Sequence, residues 1–457
     1  MSAAERESWT VGESQPIEEA LHRLNANKLR ILFACDLDQC ITGSVTDGDI
    51  RRFLLKTRDI KLPVSHCMNR RFVSAKVGTP RENILKLLDH RIHSVPVLDS
   101  AGRLADVYTR ERFQLEEERE VYSRSRSPAR ISFGGGGTDL THYFDENGGV
   151  VINTTVQLFA HASLRRRPNK GVRIYSHDFR DAVNAASVQD LAFDGRLDLL
   201  KAVVRLIDPG FGFDLEVAAD FPVGSGLGGS AAVTSAVIGC FNEFRADRWD
   251  RHEIAEMAFQ SERLLLNIPG GWQDQYATVF GGFNFMEFTS DHNEVVPLRL
   301  ETRTLRELEE SLVLVFTGKL HDSGAVHRDQ RQSMAESRDI KQLAERQKDI
   351  TREMKKLLLR GRLLDYGCLL DEAWQVKRQF SSAISNGEID KIYDFAAVNH
   401  AIGGKLLGAG GGGYFLFYTR PFHRYHFETA MEGAGYRCQR ISFDETGLQS
   451  WKTRMPE

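Results

Sequence analysis

Several features are missing from this chain of 457 residues, and each absence excludes a class of protein. No apolar run is long enough to span a bilayer, and the polar residues 1–10 lack the apolar centre of a signal peptide. The 60 basic and 63 acidic residues nearly cancel, to a net charge of −3, which gives no sign of a nucleic-acid partner. We therefore expect a cytoplasmic protein with no nucleic-acid and no membrane partner.

Cysteine is scarce and dispersed. The six cysteines form no Cys-x-x-Cys pair, so the sequence predicts reduced thiols and no zinc site. A hydrophobic fraction of 41% and a charged fraction of 27% are typical of globular proteins, and the length allows two or three domains.

The first 113 residues contain an internal repeat. Residues 15–21 match residues 79–85, and each segment begins an amphipathic helix with a proline near its first turn. Residues 31–36 match 94–99 as strands. A turn, a second strand and a short charged helix follow in both copies. The second strands are residues 40–46 and 103–109, and the final helices are residues 47–55 and 110–115.

This repeat resembles a pair of CBS domains. In that family a Thr-x-x-Asp at the end of the second strand binds the ribose of an adenine nucleotide, so the resemblance implies a regulatory nucleotide at Thr46 and Asp49. The second copy has Thr109, but Arg112 replaces the acid, so that site is altered or lost. The alternative is that Thr46 and Asp49 only cap the next helix. Some CBS pairs serve for dimerisation, so a homodimer through the pair is a further expectation.

The most informative segment of the chain is a glycine-rich stretch, Phe221–Ala232. It follows an alternating apolar segment typical of a strand and precedes small residues typical of a helix. Glycines let backbone N–H groups approach a ligand, and a helix N-terminus adds unpaired donors and a positive dipole end. The stretch therefore predicts a phosphate site.

Three readings of this stretch compete. Gly224, Gly226 and Gly229 satisfy the dinucleotide pattern GxGxxG, but a Rossmann unit needs a second strand after the helix, and residues 251–266 have a helical period instead. A Walker A loop needs a Gly-Lys-Ser/Thr that is absent here. Simple packing of glycines between a strand and a helix is the third reading, and it does not explain so many glycines next to Ser230.

The segment from Pro222 to Ala232 instead resembles the central motif Pro-x-x-x-Gly-Leu-Gly-x-Ser-Ala-Ala of the GHMP kinases, which include galactokinase, homoserine kinase and mevalonate kinase. The resemblance implies ATP as cosubstrate. It implies ATP binding by Pro222, Gly224, Ser225, Gly226, Leu227, Gly228, Gly229, Ser230 and Ala231.

The family's fold is α+β, with an N-terminal part like ribosomal protein S5 domain 2 and a ferredoxin-like C-terminal part. Here the CBS pair would precede it. We predict domains at residues 1–120 (CBS pair), 121–300 (ATP-binding domain) and 301–457 (C-terminal domain).

Two further segments, residues 127–139 and 404–417, are similar to the family's first and third motifs. Arg130 precedes Asp139 by the nine residues seen in sugar-kinase members, which implies that Arg130 lies near the transferred phosphoryl and Asp139 binds sugar hydroxyls. A plain turn is the alternative for Thr138 and Asp139. Lys405 either reaches a phosphate or lies on the surface. The resemblance implies substrate binding by Gly136, Gly137, Thr138, Asp139, Gly271, Gln275, Gly410 and Gly411.

Asp274 lies in the first turn of a helix predicted to begin near Trp272. The resemblance implies that Asp274 is catalytic and orients or deprotonates the acceptor hydroxyl. The alternative is that Asp274 only favours the helix start. The resemblance also implies Mg²⁺ as cofactor, held by Ser230 and Glu262, although a solvated carboxylate is the alternative for Glu262.

Within this family, residues 133–139, 268–276 and 405–413 are most similar to D-glycero-D-manno-heptose 7-phosphate kinases, and fucokinase modules share much of them. The implied reaction phosphorylates the anomeric hydroxyl to give a 1,7-bisphosphate for nucleotide-activated heptose and surface polysaccharide. A fucokinase-like or galactokinase-like sugar 1-kinase and a non-catalytic nucleotide sensor are the alternatives.

The sugar's own phosphate would need a second basic group, for which Arg173, Lys377 and Arg378 are candidates. The pattern of charged and apolar residues over 334–359 predicts an exposed amphipathic helix.

Overall fold

The computed structural model describes residues 3–27, 30–88, 92–109, 121–319 and 338–454, together with residues 326 and 329. The chain divides into two compact units, Met1–Arg119 and Glu120–Glu457.

The first unit contains the predicted repeat as two three-stranded sheets. In each sheet the middle strand pairs parallel with the short first strand and antiparallel with the third. The strands are Thr10–Gly12 (β1), Ile31–Cys35 (β2), Ile41–Thr46 (β3), Ala75–Lys76 (β4), Ser94–Leu98 (β5) and Leu104–Thr109 (β6). The α-helices are Ala3–Trp9 (α1), Ile17–Asn27 (α2), Asp47–Thr57 (α3) and Arg81–Leu87 (α4), and Val64–His66 forms a 3₁₀ turn.

The predicted repeat is confirmed, but the sequence analysis missed β1 and β4. These strands have three and two residues, too few to show an alternating pattern. The predicted final helix of the second copy and Arg112 lie outside the described residues.

The second unit is built on a nine-stranded sheet in which β10, β9, β11, β8, β12 and β13 are neighbours in that order. Strand β7 pairs with β8 and β19, and β18 also pairs with β8. The strands are Val121–Gly134 (β7), Gly149–Arg166 (β8), Val172–Ser176 (β9), Asp181–Ala185 (β10), Phe213–Ala219 (β11), Asn284–Phe288 (β12), Asn293–Pro297 (β13), Phe443–Asp444 (β18) and Gln449–Arg454 (β19).

A four-stranded antiparallel sheet, in the order β15-β16-β14-β17, forms the rest of this unit. Its strands are Leu312–Phe316 (β14), Ala401–Leu406 (β15), Tyr414–Thr419 (β16) and Arg437–Arg440 (β17). Because β18 and β19 return to the larger sheet, the end of the chain contributes to both sheets. The predicted boundary at residue 300 stays a prediction.

Helices cover these sheets. They are Thr141–Asn147 (α5), Asp198–Ile207 (α6), Gly229–Asn242 (α7), Arg251–Phe259 (α8), Gln273–Phe280 (α9), Thr302–Ser311 (α10), Arg338–Leu359 (α11), Leu363–Lys377 (α12), Gly387–Val398 (α13) and Arg424–Gly433 (α14). Among the described helices, none combines the length and the apolar composition that a membrane span requires. All six cysteines are free, as predicted.

A row of serines on β7 fixes the two helices that carry the site. Ser123, Ser125 and Ser127 alternate along the strand and are buried. The hydroxyl groups of Ser123 and Ser125 donate to carbonyls of α7, and that of Ser127 donates to the Thr278 carbonyl of α9 at 3.1 Å. Small side chains allow this close approach, so α7 and α9 are held directly against β7.

Helix α11 corrects one expectation. The sequence predicted an exposed helix over residues 334–359, but residues 334–337 lie outside the described part and α11 has a buried face. Ile350, Met354 and Leu358 pack into the main hydrophobic core, while the charged side chains of the opposite face remain exposed. The apolar stripe covers the long strands β7 and β8 and is therefore not free.

Candidate active site

A cavity of about 790 Å³ lies in the second unit, where several glycine-rich segments meet. The end of β7, the start of α7, the turn after α8, the start of α9 and the glycine turn after β15 all contribute to its lining. These segments are far apart in sequence, and the sheet and its helices bring them together.

The glycine stretch adopts a backbone that requires glycine. Gly224, Gly226 and Gly228 have φ angles of 73°, 80° and 72°. A Cβ on Gly226 would lie 2.7 Å from the Leu407 carbonyl oxygen, and one on Gly228 would lie 2.8 Å from the Cγ of Arg130. Gly228 is the N-cap of α7 and offers no side-chain cap, so the first N–H groups of the helix are available to an anion.

Most of the predicted ATP residues line the cavity. Leu227 and Ala231 are exceptions, because their side chains are fully buried in the protein. Pro222, the second residue of the glycine-rich stretch, is exposed and does not line the cavity. The residues on the lining are Gly224, Ser225, Gly226, Gly228, Gly229 and Ser230.

Arg130 and Asp274 form a bidentate ion pair. The Nε and Nη2 atoms of Arg130 donate to the two carboxylate oxygens of Asp274 at 2.7 and 2.8 Å. The Nη1 atom donates to the Gly226 carbonyl at 2.6 Å, and Arg130 is only 4% exposed. One guanidinium group therefore joins the glycine stretch to the predicted catalytic carboxylate.

Asp139 lies beside this pair. Burial raises the pKa of Asp139, and the charge of Asp274 raises it further. The N–H groups of Gly137 and Gln273 donate to its carboxylate at 3.0 and 3.3 Å. A Cβ on Gly271 would lie 1.8 Å from an oxygen of Asp139, so only glycine fits at residue 271.

Ser230 and Glu262 are also brought together. The Ser230 hydroxyl donates to Glu262 at 2.8 Å, and Gln275 and Arg263 donate to the same carboxylate at 3.1 and 3.2 Å. Glu262 is 1% exposed, so it is not a solvated surface carboxylate. It lies on a π-helical segment, Gln260–Leu265, that continues α8. Inserted π turns are frequent at functional sites.

This pair supplies the hard oxygen ligands that Mg²⁺ prefers. Mg²⁺ is commonly held by one or two protein oxygens together with water and phosphate oxygens, and the Ser230 hydroxyl and the Glu262 carboxylate fit that pattern.

Half of the predicted substrate residues reach the cavity. Gly136, Gly137, Asp139 and Gly271 line it.

The other four residues are not part of the lining. Thr138 donates to the Gly135 and Val150 carbonyls, and Gln275 donates to Glu262. A Cβ on Gly410 would lie 2.7 Å from the Cα of Ile384, and the N–H of Gly411 donates to the Ile384 carbonyl.

The positions of two lysines near the cavity, Lys405 and Lys377, were the least predictable feature of the site. Lys405 is neither a surface residue nor a cavity residue, because it is 1% exposed and donates to the Phe133 carbonyl at 3.2 Å. Burial lowers the pKa of Lys405 well below its usual value. Lys377 does line the cavity and donates to the Gly408 carbonyl. Burial, with a smaller effect of Arg130, lowers the pKa of Lys377 to about 8.

The other two candidates for a phosphate contact lie elsewhere. Arg378 forms an ion pair with Asp390, and Arg173 lies on β9.

Ser132 and Gln273 also line the cavity, although neither was predicted from the sequence. A signal existed for each. Ser132 follows Arg130 by two residues on β7, so both side chains lie on the same face of the strand. Gln273 directly precedes Asp274.

In the first unit, Thr46 and Asp49 form a capping box at the start of α3. The Thr46 hydroxyl donates to Asp49 at 2.6 Å, and the Asp49 N–H donates back to the hydroxyl at 3.2 Å. The second carboxylate oxygen of Asp49 contacts Arg52. The capping role is therefore present, and nucleotide binding at these residues stays a prediction.

Comparisons with known proteins agree with this geometry. A model of the GHMP kinases N terminal domain matches residues 198–282, and CBS domain models match residues 4–56 and 64–113. The D-glycero-alpha-D-manno-heptose 7-phosphate kinase of Campylobacter jejuni is 34% identical over 338 residues, which are 72% of this chain and 98% of that protein.

Two other proteins illustrate the range of similarity. A crystal structure of a D-glycero-D-manno-heptose 1-phosphate kinase from Bacteroides thetaiotaomicron is 27% identical with a TM-score of 0.62, and covers 73% of this chain and all of that one. The L-fucokinase/L-fucose-1-P guanylyltransferase of Bacteroides fragilis is 28% identical over 66% of this chain and 35% of that protein.

The chain therefore belongs to the GHMP kinases, and the predicted α+β kinase fold is confirmed. Within that family it is a sugar kinase, a phosphotransferase with an alcohol group as acceptor, and it carries CBS domains at its N-terminus.

Proposed function

We propose that this protein transfers the γ-phosphoryl group of ATP to the anomeric hydroxyl of D-glycero-D-manno-heptose 7-phosphate. The product would be the 1,7-bisphosphate, a precursor of nucleotide-activated heptose for surface polysaccharide. The similarity to the Campylobacter jejuni heptose 7-phosphate kinase over 98% of that protein supports this acceptor.

One observation carries the proposal: Arg130 holds the Asp274 carboxylate beside Asp139 in the cavity that also contains the glycine stretch. The glycine N–H groups and the start of α7 bind the phosphates of ATP. Asp139 accepts hydrogen bonds from sugar hydroxyls. The anomeric oxygen attacks the γ-phosphorus, the bond to the β-phosphate oxygen breaks, and Asp274 orients the attacking hydroxyl and receives its proton.

Fixed positive charge surrounds the reacting groups. Arg130 is held by three hydrogen bonds from its guanidinium group, so it needs no rearrangement to oppose negative charge on the phosphoryl group. Lys377 is a further cation on the cavity lining, and of the three basic candidates from the sequence it is the one that lies there. We assign the sugar's own phosphate to Lys377.

Mg²⁺ would be held by Ser230 and Glu262. When bound, it neutralises charge on the phosphates of ATP. Gln275 and Arg263 fix the Glu262 carboxylate in its orientation.

The test is an acceptor screen that compares the wild type with the Asp274→Asn variant. The wild type should consume ATP with heptose 7-phosphate in preference to mannose 6-phosphate, fucose and galactose. Asp274→Asn should lower kcat by about 100-fold or more, because the amide cannot receive the proton. Asp349→Asn, at an exposed carboxylate on α11, is the matched control. Unchanged ATP consumption by the Asp274→Asn variant would show that Asp274 is not a catalytic residue.

A fucokinase-like or galactokinase-like acceptor is the second candidate, and the 28% identity to the bacterial fucokinase favours it. Preference for fucose or galactose in the screen would select it. Absence of transfer to every sugar would instead favour a non-catalytic nucleotide sensor.

For the first unit we propose an adenine nucleotide as regulatory ligand and a homodimer through the CBS pair. The match of both copies to CBS domains supports this assignment.

A further inference from the structure

Two polar side chains on the cavity lining each carry a buried atom without a hydrogen-bond partner among the described residues. Ser132 is 5% exposed and Gln273 is 7% exposed, and both line the cavity. The Oγ atom of Ser132 and the Oε1 atom of Gln273 are buried, and neither has a partner among the described residues. Buried polar atoms in folded proteins are nearly always bonded, and an orphaned one costs about 1–3 kcal/mol.

The two side chains flank one small region of the cavity. A Cβ built on Gly136 would lie 3.8 Å from both the Ser132 Oγ and the Gln273 Nε2. Gly136 therefore leaves space between two polar groups, and a larger residue would fill it. The N–H of Gln273 also donates to Asp139 at 3.3 Å, so this region adjoins the carboxylate assigned to the sugar.

The chemistry of the pair indicates what fills this space. A serine hydroxyl donates and accepts, and the carbonyl oxygen of a glutamine amide only accepts. The Nε2 atom of Gln273, which adjoins the space, donates, and the unpartnered Oε1 atom of the same amide accepts. The amide is therefore matched by a ligand that offers both an acceptor and a donor hydrogen, and an ionised phosphate lacks the donor. A sugar hydroxyl both donates and accepts, so it can satisfy either side chain.

We propose that Ser132 and Gln273 determine acceptor specificity by binding a sugar hydroxyl other than the one that reacts. The proposal rests on the proposed function, because the sugar acceptor is the ligand. A sugar that lacks the matched hydroxyl leaves both side chains unpaired in the complex. A site of this kind rejects such an analogue more strongly than an apolar pocket would.

The experiment uses the full-length protein, ATP and the best acceptor from the screen. We expect Ser132→Ala and Gln273→Met each to lower kcat/KM for the acceptor roughly 10–100-fold, with KM for ATP changed less than twofold. Unchanged kcat/KM for the acceptor, or a loss confined to KM for ATP, would overturn the proposal. The second result would place the pair at the nucleotide.

Gln347→Met is the matched control. Gln347 on α11 is also buried, and its side-chain amide has no partner in the part of the chain that the structure describes, but it lies outside the cavity lining. This variant should leave both kinetic constants unchanged. Thermal melting of all three variants checks folding, and Ser132→Ala should melt no lower than the wild type because it removes an orphaned hydroxyl.

Deoxy analogues of the acceptor give a second readout that does not depend on stability. For one ring position, the wild type should discriminate against the deoxy sugar, and Ser132→Ala or Gln273→Met should lose that discrimination. Equal discrimination by wild type and both variants at every position would also overturn the proposal. If the wild type phosphorylates no sugar at all, that result contradicts the proposed function as well as this inference.

Discussion

At the scale of single residues, Lys377 is a group on the cavity lining whose charge depends on the fold. It is buried in the cavity, and its pKa is lowered to about 8. An amine with this pKa is protonated below pH 8 and neutral above it. A role in holding a phosphate requires the protonated form, so that role is lost as the pH rises through about 8.

We therefore predict a descending limb in the pH profile of kcat/KM for the acceptor, falling roughly tenfold per pH unit above about pH 8. Lys377→Arg should remove the limb, because a guanidinium stays charged there. Lys377→Met should give low activity and a flat profile. Lys356→Met, on the exposed face of α11, is the control and should keep the wild-type profile. A wild-type profile that stays level to pH 9.5 would contradict the assignment.

The sequence predicted the cavity residues unevenly. Arg130, Asp139 and Asp274 lie in motifs with fixed spacing, so a resemblance could assign them. Lys377 lies in no such motif, and the motif that contains Lys405 gives this lysine no fixed role. Both lysines are buried where α12, β15 and β7 pack together. Burial of a lysine is a property of that packing, which a charged position in a helix or strand does not reveal.

At the scale of elements, the turn between the π-helical segment and α9 contacts Asp139 and leads directly into the helical turn that carries Asp274. Gly271 lies in this turn, and a Cβ there would overlap an oxygen of Asp139. The turn also supplies the Gln273 N–H to Asp139. A short piece of backbone thus positions two carboxylates at once.

Gly271→Ala should lower kcat by about 100-fold, because a shift of about 1 Å in a positioned group costs a factor of that size. The melting temperature should fall much less than in a core variant, since the turn lines a cavity. Gly387→Ala, in the first turn of α13 where a Cβ would meet nothing within 4 Å, should leave activity and stability intact. Normal activity in Gly271→Ala would show that the turn can move away from Asp139.

The element boundaries followed from the sequence more closely than the contacts did. The small residues after the glycine stretch predict a helix, which is α7 at Gly229–Asn242, and no strand intervenes before α8. The absence of a strand there confirms that GxGxxG is not a dinucleotide fingerprint in this chain. The π-helical segment was not predicted. It buries Ser261 and Glu262 and leaves Leu264 and Leu265 exposed, an arrangement that a search for buried apolar positions does not indicate.

At the scale of the whole molecule, the chain combines a kinase with a repeat that has its own sheets and cores. We predict that AMP binds the 457-residue protein. The Asp49→Ala substitution should weaken this binding at least tenfold, and isothermal calorimetry would measure the change. Asp47→Ala, at an exposed carboxylate in the same helical turn, is the control. Loss of the capping box costs roughly 1 kcal/mol, so melting curves accompany the titration.

Equal heats for wild type and Asp49→Ala would leave the capping box as the whole explanation of Thr46 and Asp49. An equal loss in both variants would point to charge near the helix start instead of a specific contact.

The strands β18 and β19 have a consequence for the order in which the chain folds during synthesis. Arg126 on β7 bonds to Gln449 on β19 across 323 residues, whereas the strand pairs of the first unit join residues close in sequence. Local pairings form early, and distant ones wait for loop closure. The N-terminal repeat can therefore fold while the ribosome is still translating the kinase, but the kinase sheet stays open along β7 until β19 has emerged. During that interval residues Val121–Arg126 of the nascent chain present an unpaired strand edge, and an edge of this kind can pair with another chain.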